Sequence, residues 1–338
     1  GEYCSPSKEG YFSCFSKEAL HRIVKAWNKL HPKDLIPIIK GDLRSQWNKI
    51  NKKLNNLCNN EKCWATTIGD KSLINKHFRP LLPSSWVNQP NEWLSTPDIE
   101  KVMKQYETKY NDFAFIGPVP MDFDAPDGMG QCIVNELCLL DLQKMIKKGK
   151  YRIGIVFNLD YHNESGSHWV AMFISLLPDD PNFGVHYFDS YATKPPREVD
   201  ILGNRLIEQS KKIDFSSIKI NGGKMSGGNN IPFTYTFNKI RHQYKNSECG
   251  VYSMNFIDES LRKQPRRTTS LSDDQVHRLR EYFYHPLEMK NGVIQKGGKR
   301  KITMGKNRIN QQNKNNKKHK KQKKTYKKSQ RHNKQDKQ

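Results

Sequence analysis

Three short stretches of the chain set a reactive side chain at the edge of an apolar segment. They are Gly166-Ser167-His168-Trp169, Tyr187-Phe188-Asp189-Ser190, and His242-Gln243-Tyr244-Lys245-Asn246-Ser247-Glu248-Cys249-Gly250. Cys249 opens a segment in which Val251, Met254, Phe256, Ile257 and Leu261 suit a buried helix. A thiol at a helix N-terminus faces unpaired amide donors and the positive end of the helix dipole, and both favour a thiolate, the form that attacks a carbonyl. An imidazole beside such a sulfur stabilises the anion and later protonates a leaving amine, while an acid on the other ring nitrogen fixes tautomer and orientation. His168 and Asp189 are the candidates for these two roles. Gln243, six residues before Cys249, can bring its side-chain amide beside the Cys249 backbone amide as a two-donor oxyanion hole; Asn246 is an alternative donor. His162 and His242 lie near these motifs in sequence and read as surface histidines. A Cys, a His and an Asp from any chain of this size prove nothing, and a cysteine in a buried helix is more often inert, so spacing must carry the argument. The reading requires the Cys249 sulfur to open on a channel with an imidazole in reach.

The elements that must position these groups follow from hydrophobic periodicity. Ser16 caps a helix bearing Leu20, Ile23, Val24, Trp27 and Leu30 before Pro32, and Asp42 begins a second with Leu43, Trp47, Ile50, Leu54 and Leu57 on one stripe. The segment from Phe78 to Pro90, with three prolines, reads as a linker. Thr96 and Pro97 cap and begin a helix with Ile99, Val102, Met103, Tyr106 and Tyr110 on one face, and a further helix is expected over Cys132 to Lys148, closed by Gly149. Alternation from Tyr151 to Leu159, the run Trp169 to Leu176, Val185 to Phe188, and alternation at Phe233, Tyr235 and Phe237 are strand signals. Val199 to Gln209 returns to helical spacing, and Ser272-Asp273-Asp274-Gln275 is a capping box for a last helix through Val276, Leu279 and Tyr282. Helices, then a sheet block, then helices make the class α+β. The Gly222-Gly223 and Gly227-Gly228 stretch reads as a flexible loop.

A His-Trp pair, about twenty residues to aromatic-Asp-Ser, and about sixty more to Gln-x5-Cys-Gly together resemble the ubiquitin-like-protein-specific cysteine proteases. That family includes SUMO-deconjugating enzymes, relatives of the adenoviral endopeptidase and thiol proteases of large DNA viruses. The resemblance covers roughly residues 92 to 285. Trp93-Leu94-Ser95-Thr96-Pro97-Asp98-Ile99 is similar to the family's Trp-Leu helix start. Met121-Asp122-Phe123, Arg241-His242-Gln243 and Glu248-Cys249-Gly250 look most like polyprotein-processing viral members, which points to a giant-virus type. The resemblance implies a cysteine-protease fold with a central mixed sheet flanked by helices. It also implies His168 as base and then acid, Asp189 as orienting carboxylate, Cys249 as nucleophile, Gln243 as oxyanion donor, and no cofactor. Trp169 and Trp93 would clamp a narrow Gly-Gly substrate tail, because a slot roofed by indoles admits backbone but no Cβ; Trp169 reads equally as a strand residue filling the core. Glu248 stands where cellular members carry Asp. The implied partners are protein substrates with Gly-Gly motifs, either viral polyproteins or ubiquitin-like modifiers, and the implied setting is the virion and infected host cytoplasm.

At 338 residues and 39.5 kDa the chain can bury a sizeable core. Three parts are expected: an N-terminal helical accessory region over 1–90, a catalytic domain over 91–290 and a Lys-rich tail over 291–338. Of the net charge of +24, +17 lies between Lys296 and Gln338, where 18 Lys and Arg face one Asp336. That tail holds a single aromatic, Tyr326, so it cannot bury enough apolar surface to offset ordering and is expected to be disordered. Its lysines suit nonspecific attraction to nucleic acid, or plain solubilisation or nuclear targeting, and Gly297-Gly298 at its start is either a self-cleavage site or a hinge.

The longest apolar run, Trp169 to Leu177, is far short of the roughly 18 to 20 residues that span a bilayer, and the first residues carry no secretory pattern. The absence of an initiating Met points to processing or a trimmed chain. Seven scattered cysteines read as thiols of a reducing compartment; a four-thiolate zinc site from Cys4, Cys14, Cys58 and Cys63 lacks the tight spacing of zinc knuckles. Two other function classes stand beside the protease. One is an acyltransferase with the same Cys/His/acid set, the other a basic noncatalytic virion protein, against which the presence of all four site residues argues.

Overall fold

The computed structural model describes residues 3–218 and 232–286, together with strand residues 289–290, 293–295 and 301–302. Gly1–Pro286 forms one compact unit and Leu287–Gln338 a second. In the second, Met289–Lys290, Val293–Gln295 and Lys301–Ile302 pair as a small antiparallel sheet. Lys301 and Ile302 thus lie in a strand where the sequence predicts a disordered tail. The rest of that tail, Gly297-Gly298 and the glycine pairs at 222–223 and 227–228 fall outside the described residues.

The first unit begins with four helices, α1 (Lys17–Leu30), α2 (Leu43–Leu54), α3 (Glu61–Thr67) and α4 (Lys71–His77). Each starts at a side chain that accepts from a first-turn amide: Ser16, Asp42, Asn60 and Asp70. Their apolar stripes enclose a core of their own around Leu20, Ile23, Val24, Ile50, Leu54, Trp64 and Leu73. Leu30 and Leu57, expected on those stripes, are exposed. The Phe78–Pro90 segment is docked and not a free linker. Phe78 and Trp86 are buried, and Leu82 N–H donates to His285 O at 2.9 Å.

After α5 (Thr96–Lys109) the chain builds a five-stranded sheet in the order β1 (Phe113–Pro120), β2 (Arg152–Asn158), β3 (Trp169–Ser175), β4 (Gly184–Phe188), β5 (Tyr235–Phe237). The outer pairs β1/β2 and β4/β5 are parallel; β2/β3 and β3/β4 are antiparallel. The sheet is therefore mixed, as expected for the fold class. β3 is apolar at every position but its last because both faces are covered. Trp169, Ala171 and Phe173 face one layer, Val170, Met172 and Ile174 the other. The first layer is α5 with α9 (Cys249–Leu261) and α10 (Asp273–Phe283); the second includes α8 (Arg197–Ser210).

One strand has no signal in the sequence, and two local expectations are corrected. β1 carries no alternation and contains Gly117-Pro118, a pair that weakens a strand signal and is accommodated because β1 is an edge. Ser95, not Thr96, caps α5, its amide donating to Asp98 Oδ2 at 2.9 Å. The helix expected over Cys132 to Lys148 is two short ones, α6 (Asn135–Cys138) and α7 (Leu142–Lys147), because Asp141 caps a fresh start.

The cysteines are, with one exception, not free thiols. Cys4–Cys14, Cys58–Cys63 and Cys132–Cys138 are disulfides, and Cys249 is the free cysteine. Their sequence separations of 10, 5 and 6 bring Cα atoms to 5.0, 5.4 and 6.3 Å, within bridging range, which scattered spacing does not reveal. No four-sulfur cluster forms among the described residues; the one group with metal-ligand types, Cys4, Cys14 and Glu61, has two sulfurs already bonded to each other. Among the described residues no helix is long and apolar enough to cross a membrane.

Candidate active site

The site lies where β3 begins and β4 ends. Antiparallel pairing sets Ala171 opposite Phe188, so the residue before β3 and the residues after β4 share one edge of the sheet. His168 precedes β3, and its backbone carbonyl accepts from Leu159 N–H at 2.9 Å. Gly166 shapes the approach: at φ +88° a Cβ there would sit 2.4 Å from the Asn158 amide nitrogen, whose side chain in turn accepts from Ser167 N–H. Asp189 follows β4, and its carboxylate accepts from Tyr191 N–H at 2.9 Å and Thr193 N–H at 3.3 Å. Because β4 and β5 are parallel, Asn238 at the end of β5 arrives beside Asp189 and makes two bonds to its backbone, at 2.9 and 2.8 Å.

His168 Nε2 lies 2.7 Å from Asp189 Oδ1, and the ring's other side-chain partner is Cys249. Burial disfavours the charged ring. The hydrogen bonds to Asp189 and Cys249, with the electrostatic pull of both side chains, outweigh that and push the His168 pKa up to about 10. The mirror effect holds on the acid: burial works against the carboxylate, but His168, the Tyr191 amide and the Thr193 side chain keep Asp189 below the usual aspartate range. His168 is therefore held in its charged form between the Asp189 carboxylate and the Cys249 sulfur, the form that can deliver a proton to a leaving amine.

Cys249 is the first residue of α9, with Glu248 at the N-cap. Gly250 explains the Cys-Gly pair, since a Cβ there would meet Leu94 at 3.0 Å and Trp169 at 3.2 Å. The first turn is pressed against that wall, and Trp169 Nε1 donates to Leu94 O at 2.9 Å. Glu248 is buried and paired with Arg280 Nε at 2.8 Å and His277 Nδ1 at 3.0 Å, which ties the start of α9 to α10. The sulfur does not stand at an open mouth as the sequence reading requires: Cys249 is 2% exposed and the His168 side chain 11%. Leu94 and Trp169 pack against the first turn of α9 at Gly250, and the Tyr191 ring lies over His168 with centroids 4.8 Å apart.

Gln243 is fully buried beside this edge. Its N–H donates to Ser190 O at 2.9 Å and its Oε1 accepts from Ser190 Oγ at 2.7 Å, fixing which end of the amide is free. Nε2 has no hydrogen-bond partner. An amide nitrogen buried and unpaired is costly unless something else uses it, and a developing oxyanion would. Asn246, the alternative donor, is exposed. The Gln243 loop is held by Asp273 at the start of α10, whose Oδ2 accepts from Tyr244 and Lys245 N–H at 2.9 and 2.8 Å.

The structure thus gathers His168, Asp189, Gln243 and Cys249 at one edge. Trp169 is mostly buried in the core layer, and Trp93 is half-buried one residue before Leu94. His162 is a surface residue paired with Asp122 at 2.7 Å. His242 is not: it is 3% exposed, accepts from Leu271 N–H at 2.9 Å, and has its pKa pushed down by burial. Sequence reasoning missed Asn238, Asp273 and the Glu248–Arg280 pair. Only the parallel β4/β5 register, invisible in the sequence, signals the first; the capping box at Ser272 pointed to the second's place but not its task.

Comparisons with known proteins bear on the class of the chain. Residues 153–292 match the family described as Ulp1 protease family, C-terminal catalytic domain. A protein of Acanthamoeba polyphaga mimivirus, named as a thiol protease, is 30% identical over 298 residues, spanning 80% of this chain and 89% of its own. The cysteine protease of an African swine fever virus isolate is 24% identical over 200 residues, 56% of this chain and 67% of its own. A crystal structure of the protease of that virus superposes with a TM-score of 0.52 at 20% identity, over 84% of this chain and 96% of its own, a likeness of fold. The protein is accordingly a cysteine protease. Within that class it belongs to the Ulp1 protease family, and the relatives just described are proteins of large DNA viruses.

Proposed function

We propose that the protein cleaves after Gly-Gly-type sites in viral precursor proteins or ubiquitin-like conjugates, acting in the virion and infected host cytoplasm. Cys249 is the nucleophile, His168 the base and acid, Asp189 the orienting carboxylate, and Gln243 with the Cys249 backbone amide the oxyanion hole. The observation that carries this reading is the unpaired Nε2 of Gln243, buried at the same edge as an imidazole poised between a carboxylate and a sulfur.

The reaction proceeds in two halves. The sulfur adds to the carbonyl of the second glycine, and the charge that moves to its oxygen is met by the two amide donors. His168 gives its proton to the departing amine, the C–N bond breaks, and a thioester remains on Cys249. The now neutral His168 takes a proton from water, the hydroxide adds to the thioester, and the sulfur leaves as the acid is released. The burial of the site supports the Gly-Gly preference: a sulfur with so little exposure is reached by an extended glycine backbone more readily than by bulkier residues. Trp169, packed against the first turn of α9 at Gly250, and Trp93, next to Leu94, would clamp the Gly-Gly tail.

A panel of Gly-Gly-X peptides and SUMO or ubiquitin conjugates, incubated with the wild type and with Cys249→Ala, tests the reading. Cleavage after Gly-Gly by the wild type alone is expected, with a loss on the order of 10⁴-fold or more in the variant. Equal residual cleavage by both proteins, or cleavage indifferent to replacing either glycine with alanine, overturns it.

A further inference from the structure

A cavity of about 330 Å³ lies behind the catalytic edge, between the ends of β4 and β5, the second half of α9 and the segment from Gln264 to Leu271. Phe188, Phe237, Tyr252, Phe256 and Leu271 give it a largely apolar wall. Two of its charged residues, Glu259 and Arg267, are paired with each other. His186, also in the wall, is held neutral, because burial and then the charge of Arg266 push its pKa down to about 3.

Arg266 is different. Its Nη1 donates to Ser260 Oγ at 2.9 Å and its guanidinium lies 4.6 Å from the centre of the Phe256 ring, yet Nε and Nη2 are buried with no hydrogen-bond partner. Burial disfavours its charge, and Asp180 and Glu259 offset this only in part. Nε and Nη2 together form the side-on edge of a guanidinium, the edge that takes both oxygens of a carboxylate. The same protein shows the completed pair elsewhere: Arg152 gives Nε to Asp112 Oδ2 and Nη2 to Asp112 Oδ1, each at 2.7 Å. At Arg266 the acceptor half of that pair is missing and an apolar cavity stands beside it.

We infer that this cavity binds a small organic carboxylate with an aromatic or branched aliphatic body, the carboxylate bidentate on Arg266 and the body against Phe188, Phe256 and Leu271. A strongly hydrated anion such as inorganic phosphate suits the guanidinium but not the walls. The volume lies at the lower end for a small-molecule pocket, which limits the ligand to about a dozen heavy atoms. The site is separate from the catalytic residues, although Phe188 and His242 in its wall directly precede Asp189 and Gln243.

Calorimetric titration of the full chain at neutral pH with 3-phenylpropionate, 3-phenylpropionamide and inorganic phosphate tests it. The acid is expected to bind at least about tenfold more tightly than the amide, as a charge-assisted pair should. Phosphate is expected to bind no better than the amide, and Arg266→Gln to erase the preference for the acid. Acid and amide binding alike, phosphate matching the acid, or an acid preference surviving in a folded Arg266→Gln protein would each overturn the assignment. The acid–amide comparison needs only the unaltered chain, so a variant that fails to fold does not remove the test.

Discussion

The N-terminal helices and the catalytic edge of the sheet handle their polar groups in opposite ways. In the first region every helix start is filled by its own side chain, and the Glu61 carboxylate accepts from Ser13 Oγ, Cys14 N–H and Trp47 Nε1. Among the described residues thirteen buried side-chain polar atoms have no partner, and only Trp64 Nε1 belongs to the four N-terminal helices. Gln243 Nε2 at the site and two nitrogens of Arg266 behind it are among the others. At the site and behind it some of the unmade hydrogen bonds are ones a transition state or ligand can make; in the N-terminal helices, where nearly all are made, the residues hold the fold.

Removing one orphan from each region separates these meanings. Gln243→Ala is expected to lower kcat on the order of 10²- to 10³-fold with little change in KM, the usual consequence of losing one oxyanion donor. Trp64→Phe removes the unpaired N–H of the helical region and is expected to leave kcat unchanged. Steady-state kinetics on the best Gly-Gly peptide reads both. A Gln243→Ala enzyme with normal kcat would make its orphan nitrogen no more meaningful than that of Trp64.

Two buried histidines sharpen the contrast with opposite signs. His168 has a folded pKa raised to about 10, so the stabilisation from its charged form is complete below the ordinary histidine value and is lost as pH rises toward 10. His77, against Cys14 O, has its pKa pushed down by burial, so it destabilises the fold as pH falls below that ordinary value. Denaturant unfolding should show the wild type's advantage over His168→Gln shrinking by about a few kcal/mol between roughly pH 6 and pH 10. The advantage over His77→Gln should instead shrink between roughly pH 7 and pH 5. In Cys249→Ala, which removes one of the groups favouring the charged ring, the His168 NMR titration should move to lower pH. An unmoved titration would show that sulfur and imidazole do not share the proton.

The four candidate site residues stand out in the sequence because they sit in short motifs at element boundaries, and strand pairing then brings His168 and Asp189 together. The helices of the first region were legible for a similar reason, since cap and stripe lie within one segment. What escaped detection depends on partners far apart in the chain. Asn238 reaches Asp189 through β4/β5 pairing, β1 is a strand only as a partner of β2, and His242 is buried by Leu271 and the aromatic rings of Phe188 and Tyr252. The disulfides escaped because short-range cysteine spacing is the same whether sulfurs bond or merely neighbour one another.

Those disulfides provide the smallest and last test of the regional contrast. Cys58 and Cys63 close a short loop that runs into α3, so the bridge restrains few unfolded conformations. By the loop-entropy relation it contributes about 2 kcal/mol. Its sulfurs lie in the N-terminal core and touch none of the four site residues. Cys58→Ser combined with Cys63→Ser should therefore lower the unfolding free energy by about 2 kcal/mol while the kcat of the folded protein stays within about twofold of wild type. Equilibrium unfolding paired with active-site-titrated kinetics measures both. If kcat falls along with stability, the helical region is helping to hold Cys249 in place, and the division between a fold-holding half and a reacting half no longer stands.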